Sequence, residues 1–258
     1  MIDWRHWHNE PWLIGGLVAL GWLWAFLAGP CRRRLAPGTA YPRGHALRFY
    51  LALLCFYGAV GSPLDQIGER FLFSAHMLQH QLLIYPAALL FLLGLPEWMI
   101  DRLFRPAGVG GIARGLTHPL ICILIYTLVI SLWHVPSFYD LALRNKTVHV
   151  AEHVMFFGAA LFYWWPLASP SRLVPARGPA VQMLYLLGAF IAMTPVFAYI
   201  TFSDDILYPT YEFAPRIFPD FTAANDQLLA GVMMKGAGMI VSLTAFGVAF
   251  FRWNREQK

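Results

Sequence analysis

Two pairs of histidines in this chain stand one helical turn apart: His76 and His80 in Ser74-Ala-His-Met-Leu-Gln-His, and His149 and His153 in His149-Val-Ala-Glu-His. Side chains at i and i+4 share a helix face, so each pair can offer two imidazoles to one small ion. His134, in Trp133-His-Val-Pro, supplies a fifth ring. Neutral imidazole ligates copper, zinc and iron, and thioethers add a preference for copper(I). Met193 and Met233 are the methionines placed to join such a set, with Met77, Met155 and Met234 also in range. Five rings exceed the usual four-coordinate need. Either two copper ions bind, or one ion binds and one histidine orients a ligand through its second nitrogen, with Asp65, Asp140 and Glu152 as further orienting candidates.

The elements that must position these rings are apolar helices. Of 258 residues, 58% are hydrophobic and only 13% charged, and the mean hydropathy is +0.53. A water-soluble domain averages about 45–50% apolar and about 25% charged residues, so this chain belongs in a bilayer. Uncharged runs at about 12–29, 46–61, 71–95, 116–134, 148–167, 180–202 and 228–251 are each long enough to cross with some tilt. The expected fold is all-α: one polytopic transmembrane helical domain over 1–258, with about seven spans. The start, Met1-Ile-Asp-Trp-Arg-His-Trp-His, lacks a basic n-region and a small-residue cleavage site, so the first run is expected to remain as a span.

Lysine and arginine fix the expected orientation. One set of loops holds Arg32, Arg33, Arg34, Arg43, Arg48, Arg102, Arg105, Arg114, Arg172, Arg177, Arg252, Arg255 and Lys258, whereas the other holds Arg5, Arg70, Arg144, Lys146 and Arg216 together with the acidic stretch 203–226. The first set is cytoplasmic by the positive-inside rule, which puts the N-terminus outside and the C-terminus inside a bacterial inner membrane. All five rings then lie near the periplasmic face, while His45 and His118 lie on the other side and His6 and His8 fall in an N-terminal segment expected to move freely. Ionisable groups inside spans are expensive and face the bundle interior, so matching depth argues for a shared ion. The net charge of +5 is spent on topology and implies no nucleic-acid partner. Cys31, Cys55 and Cys122 form no C-x-x-C pair and are read as bystanders. Lys235, within the last span, is expected to snorkel to the interface or to pair with Asp226 or Glu152.

The ordered motifs carry a resemblance. Ser74-Ala-His-Met-Leu-Gln-His with Pro86 and Gly94-Leu-Pro, Trp133-His-Val-Pro-Ser-Phe-Tyr-Asp, His149-Val-Ala-Glu-His with Phe162-Tyr-Trp-Trp-Pro, and Asp226-Gln-Leu-Leu-Ala-Gly with Met233 together resemble the polytopic CtaG family of bacterial cytochrome oxidase assembly proteins, distinct from the single-span copper chaperone of the same name. Relatives tend to read Met-Trp where Met234-Lys235 stands here. The resemblance implies a seven-span assembly factor for a haem-copper oxidase, with His76, His80, His134, His149 and His153 as metal ligands. Its expected partners are a subunit of that oxidase, a periplasmic copper chaperone and membrane lipid. A b-type haem electron-transfer protein and a metal-dependent membrane enzyme are the alternative classes, and a scaffold without metal is the simplest one. Against haem, i, i+4 partners on one helix cannot occupy opposite faces of one macrocycle.

Overall fold

The computed structural model describes Trp4, Arg5 and residues 7–258; His6 lies outside the described residues. Every regular element among them is helical. In chain order these are α1 (Pro11–Ala28), α2 (Arg43–Val60), α3 (Pro63–Arg70), α4 (Phe73–Leu93), α5 (Glu97–Phe104), α6 (Val109–Leu116), α7 (Pro119–Trp133), α8 (Pro136–Arg144), α9 (Lys146–Ala168), α10 (Pro179–Ala192), α11 (Thr194–Phe202) and α12 (Ala223–Glu256). Single helical turns at Arg32–Leu35 and Pro209–Glu212 complete the set.

Five stretches are long and apolar enough to cross a membrane: α1, α2 running into α3, α4, α10 running into α11, and α12. The pair α6 and α7 makes a sixth if its 64° bend is taken within one span. That bend falls at Thr117-His118, directly before Pro119, and the residue before a proline is pushed out of the helical region. α9 has 23 residues and so reaches about 35 Å. Its Lys146, His149, Glu152 and His153 keep its hydropathy below that of the five. The expected run ending near Gly61 turns there and continues as α3, and the run expected from Leu228 begins at Ala223 under a Thr222 cap.

α4 is the centre of the bundle. Its apolar window is 56% buried, against 22% for α1 and 11% for α12, whose outward faces present Leu, Ile, Val and Phe in the manner of lipid-facing helices. α2 and α3 pack on one side of α4, α12 on another and α9 on a third, while α9 is backed by α7 and α8, and α12 by α10 and α11. The main core joins α4, α7, α9 and α10 through Ile84, Leu92, Tyr126, Phe156, Trp164 and Tyr185. A second core of Phe73, Met77, Tyr139, Tyr208 and Tyr211 closes the end of the bundle at which α4 begins.

Pro86 shapes α4 from within. Lacking an N–H, it cannot continue the ladder, and Leu83–Ala87 widens to a π turn that begins three residues after His80. Trp164 of α9 donates its indole N–H to the Ile84 carbonyl at 2.9 Å, a partner from the neighbouring helix for the loosened backbone.

Candidate metal site

The histidines of α4 are held by three long-range devices. Asp226 of α12, itself fully buried, accepts the backbone N–H of Phe73 at 2.6 Å and of Ser74 at 3.0 Å, so the orphan donors at the start of α4 are capped from a helix some 150 residues away in sequence. Gly68 of α3 lies so close that a Cβ there would come within 2.9 Å of the His76 Cα. Gly68 is required because α3 and α4 touch backbone to backbone at the first site histidine. Finally, the Gly68 carbonyl accepts the Tyr211 hydroxyl at 2.7 Å, and that hydroxyl lies 2.8 Å from the Tyr139 hydroxyl, which ties the loop after α11 to α3 and α8. α9 begins at Asn145, whose side chain accepts from Thr147 and Val148 in a local cap, and its first turns carry His149, Glu152 and His153 on one face.

Glu152 is the hub of the cluster. Fully buried, its Oε1 lies 3.6 Å from His80 Nε2 and 4.0 Å from His76 Nε2, and its Oε2 lies 4.0 Å from His149 Nε2. His76, His149, Glu152 and His153 can each bring one ligand atom within 4.8 Å of all the others. Tetrahedral bonds of about 2.0–2.1 Å separate ligand atoms by roughly 3.3 Å, so a small inward movement would close these four around one ion. His80 joins them at the edge: its Nε2 is 2.8 Å from His76 Nε2, so one ring donates to the other, and its ring centroid is 5.5 Å from that of His153. Both oxygens of Glu152, Nδ1 of His76 and His80, and Nε2 of His149 and His153 are buried without a hydrogen-bond partner among the described residues.

His134, at the end of α7, stands apart from that group. Its Nδ1 faces the Ile130 carbonyl at 2.7 Å, its Nε2 lies 3.5 Å from the Met77 sulfur, and its carbonyl accepts the Tyr208 hydroxyl at 2.9 Å. With His80 it lines a cavity of about 60 Å³, room for about two waters, shared with Met77, Met193, Met234 and Lys235. Met193, at the junction of α10 and α11, is therefore close to the histidines, whereas Met233 does not line this cavity and its neighbour Met234 does. Lys235 departs from expectation. It pairs with neither Asp226 nor Glu152 but reaches Thr194 Oγ1 at 3.1 Å and sits 3.3 Å and 4.2 Å from the ring centroids of Phe190 and Phe197, a cation–π box within the helix bundle.

Sequence reasoning placed Asp65, Asp140 and Glu152 in orienting roles. Asp140 serves Arg144 and Thr210 instead, and Glu152 sits among the rings as a ligand-grade group. It missed Glu69 altogether, although Asp65 and Glu69 repeat the i, i+4 spacing that drew attention to the histidines. Glu69 Oε1 lies 2.7 Å from His149 Nδ1. Asp65 accepts from Gln79 Nε2 and lies 3.2 Å from His8 Nε2. The segment holding His8 is fixed rather than free: its backbone N–H donates to Gly61, Trp7 stacks on Tyr57, and the Tyr57 hydroxyl donates to Asn9.

No curated protein and no solved structure matches the chain. A family model described as cytochrome c oxidase caa3 assembly factor (Caa3_CtaG) matches residues 22–256. That span contains α2 to α12 and every histidine of the cluster, and on it the chain belongs to the cytochrome c oxidase caa3 assembly factor family.

Proposed function

We propose that this assembly factor binds copper through the buried cluster and supports its delivery to a haem-copper oxidase. The observation that carries the reading is the set of six partnerless atoms on His76, His80, His149, Glu152 and His153. A buried polar atom left unsatisfied costs about 1–3 kcal/mol, so a group that satisfies several of them at once is strongly favoured. A cation answers four imidazoles and a carboxylate at once. Of the sequence-derived ligands, His76, His149 and His153 would hold the first ion with Glu152, and His80 would complete or exchange with them. His134, Met77 and Met193 would receive a softer, copper(I)-favouring contact on the adjoining side, so that one or two ions are accommodated. Met233 would contribute only after a shift of α12.

The same reading sets the cluster near the periplasmic face of the bacterial inner membrane. Adding α9 and the bent α6–α7 pair to the five apolar stretches gives seven spans, and the basic loops then fall inside with the N-terminus outside. Copper would arrive from a periplasmic donor and leave to an oxidase subunit docked on that side. The test is metal analysis of protein purified without an affinity histidine tag: His76→Ala with His80→Ala is expected to abolish retained copper, and unchanged stoichiometry overturns the assignment.

A further inference from the structure

The buried cluster has a neighbour made of different chemistry. Asp65, Glu69 and His149 form a second group whose ligand atoms all lie within 4.8 Å of one another, and His149 belongs to both groups. Its two ring nitrogens face opposite ways in chemical terms. Nδ1 meets Glu69 Oε1 at 2.7 Å, while Nε2, buried and without a hydrogen-bond partner, lies 4.0 Å from Glu152 Oε2. Two carboxylates one turn apart at this depth repel each other, yet Asp65 is 5% exposed and is held in place by Gln79 and by His8 rather than released to solvent.

Two cavities border this group, and they share Glu69, His8, Glu10 and Lys146 in their linings. A cavity of about 310 Å³ between α1, α2 and α9 is lined by Asp65, Glu69, His149 and His153, and the Nε2 of His153 is likewise buried without a hydrogen-bond partner. A more open recess of about 630 Å³ is lined by Glu69 and Glu10 together with His8, Arg70, Arg144 and Lys146. Glu69 thus borders the recess, the inner cavity and the shared histidine.

We infer that Asp65, Glu69 and His149 form a second cation site, a loading station that accepts a divalent ion from the outer recess and hands it through the His149 imidazole to the Glu152 cluster. Two carboxylates and one imidazole are a borderline-hard donor set that suits Cu(II) or Zn(II), whereas the inner set is dominated by imidazole. An arriving ion displaces the proton shared between Glu69 and His149, since both must be deprotonated to ligate. In the handover the Nδ1–metal bond breaks and an Nε2–metal bond forms, the ring proton moves from Nε2 back to the vacated Nδ1, where Glu69 accepts it in a hydrogen bond, and Glu152 replaces Glu69 and Asp65 as the carboxylate ligand. This inference rests on the copper reading of the inner cluster.

The experiment uses the full chain in detergent, titrated with Cu(II) alone and followed by stopped-flow absorbance and electron paramagnetic resonance. Two steps are expected, an early one whose signal shows a single nitrogen ligand and a later one with several. Glu69→Gln, isosteric and at a group 23% exposed, is expected to weaken the early step by at least about tenfold and to slow the later one, with helical content unchanged. Glu69→Asp, which keeps the carboxylate, is expected to restore the early step. His76→Ala is expected to spare the early step and remove the later one. An ion pair that serves only structure would lose thermal stability in Glu69→Gln and leave both steps at wild-type rates, which overturns the loading station while the inner site stands. Wild-type protein that takes up no copper overturns both.

Discussion

The histidine cluster has two unlike flanks. Toward α1 to α3 lie Asp65 and Glu69, a cavity of about 310 Å³ and an open recess beyond it. Toward α10 to α12 lie Met77, Met193 and Met234, a cavity of about 60 Å³ and a lysine held over two phenylalanine rings. One flank offers carboxylate oxygen and room, with Arg70, Arg144 and Lys146 around its outer recess. The other offers sulfur, a fixed positive charge and almost no room. The first flank presents the carboxylates of Asp65 and Glu69 to a divalent cation, although its outer recess also carries Arg70, Arg144 and Lys146, while an ion held by the thioethers sits at close quarters with Lys235. The contrast teaches that the cluster is asymmetric in donor softness and in room, so its two sides suit different ions.

Each flank also pins α4, and the pins can be broken separately. Asp226→Ala strips two buried N–H groups of their acceptor, and at about 1–3 kcal/mol for each the loss is expected to reach at least about 2 kcal/mol in thermal unfolding of the detergent-solubilised protein. A variant as stable as wild type would show that the α12 flank does not hold α4. On the opposite flank, Gly68→Ala drives a Cβ to 2.9 Å from the His76 Cα, and is expected to lose about 1–3 kcal/mol and to lower copper retention together. Unaltered retention with lowered stability would separate that packing from the site.

A smaller effect sharpens the contrast. Lys235→Met removes the cation–π box and is expected to cost about 1 kcal/mol, yet to raise retention of silver(I), a copper(I) surrogate, by adding a thioether where a positive charge stood. Lowered silver retention would mean that the charge on this flank assists the ion. Smallest of all is the ion pair over the recess. Burial raises the Glu10 carboxyl, but hydrogen bonds from Lys146 and His8 outweigh it and hold the group at about 2, below the ordinary 4.5. Its contribution is complete above 4.5 and disappears as pH falls from there through about 2. Glu10→Gln should flatten that limb of the stability profile by well under about 1 kcal/mol, because the Lys146 partner is largely exposed.

Much of this was legible in the residues themselves. The i, i+4 histidine pairs announced their shared faces, whereas the runs expected over 116–134 and 180–202 passed through Pro119 and Pro195, at which the helices bend or break. Glu152 was visible as the i+3 neighbour of His149, but one-dimensional spacing cannot say whether a carboxylate points past a ring or between four of them. Asp65 was legible as a carboxylate near the rings, but Glu69 was hidden because it follows the turn at Gly61-Ser62, where hydropathy drops and the apolar run ends. The Asp226 cap was illegible for a plainer reason: its acceptors and donors are far apart in sequence, and only packing brings α12 over the start of α4. The pairing of Lys235 with Asp226 or Glu152 was a poor guide because nothing local signals that Phe190, Phe197 and Thr194 converge on it.

The π turn at Leu83–Ala87 has one more effect, on phase. A π turn accommodates one residue more than the α-helical repeat, and each residue advances a helical wheel by about 100°. The half of α4 that bears His76 and His80 is thereby set out of step with the half that packs into the main core, and a single wheel drawn over Phe73–Leu93 cannot describe both. Deleting one residue of that widened turn would bring the halves into step and swing both imidazoles away from Glu152 while leaving the lower packing intact.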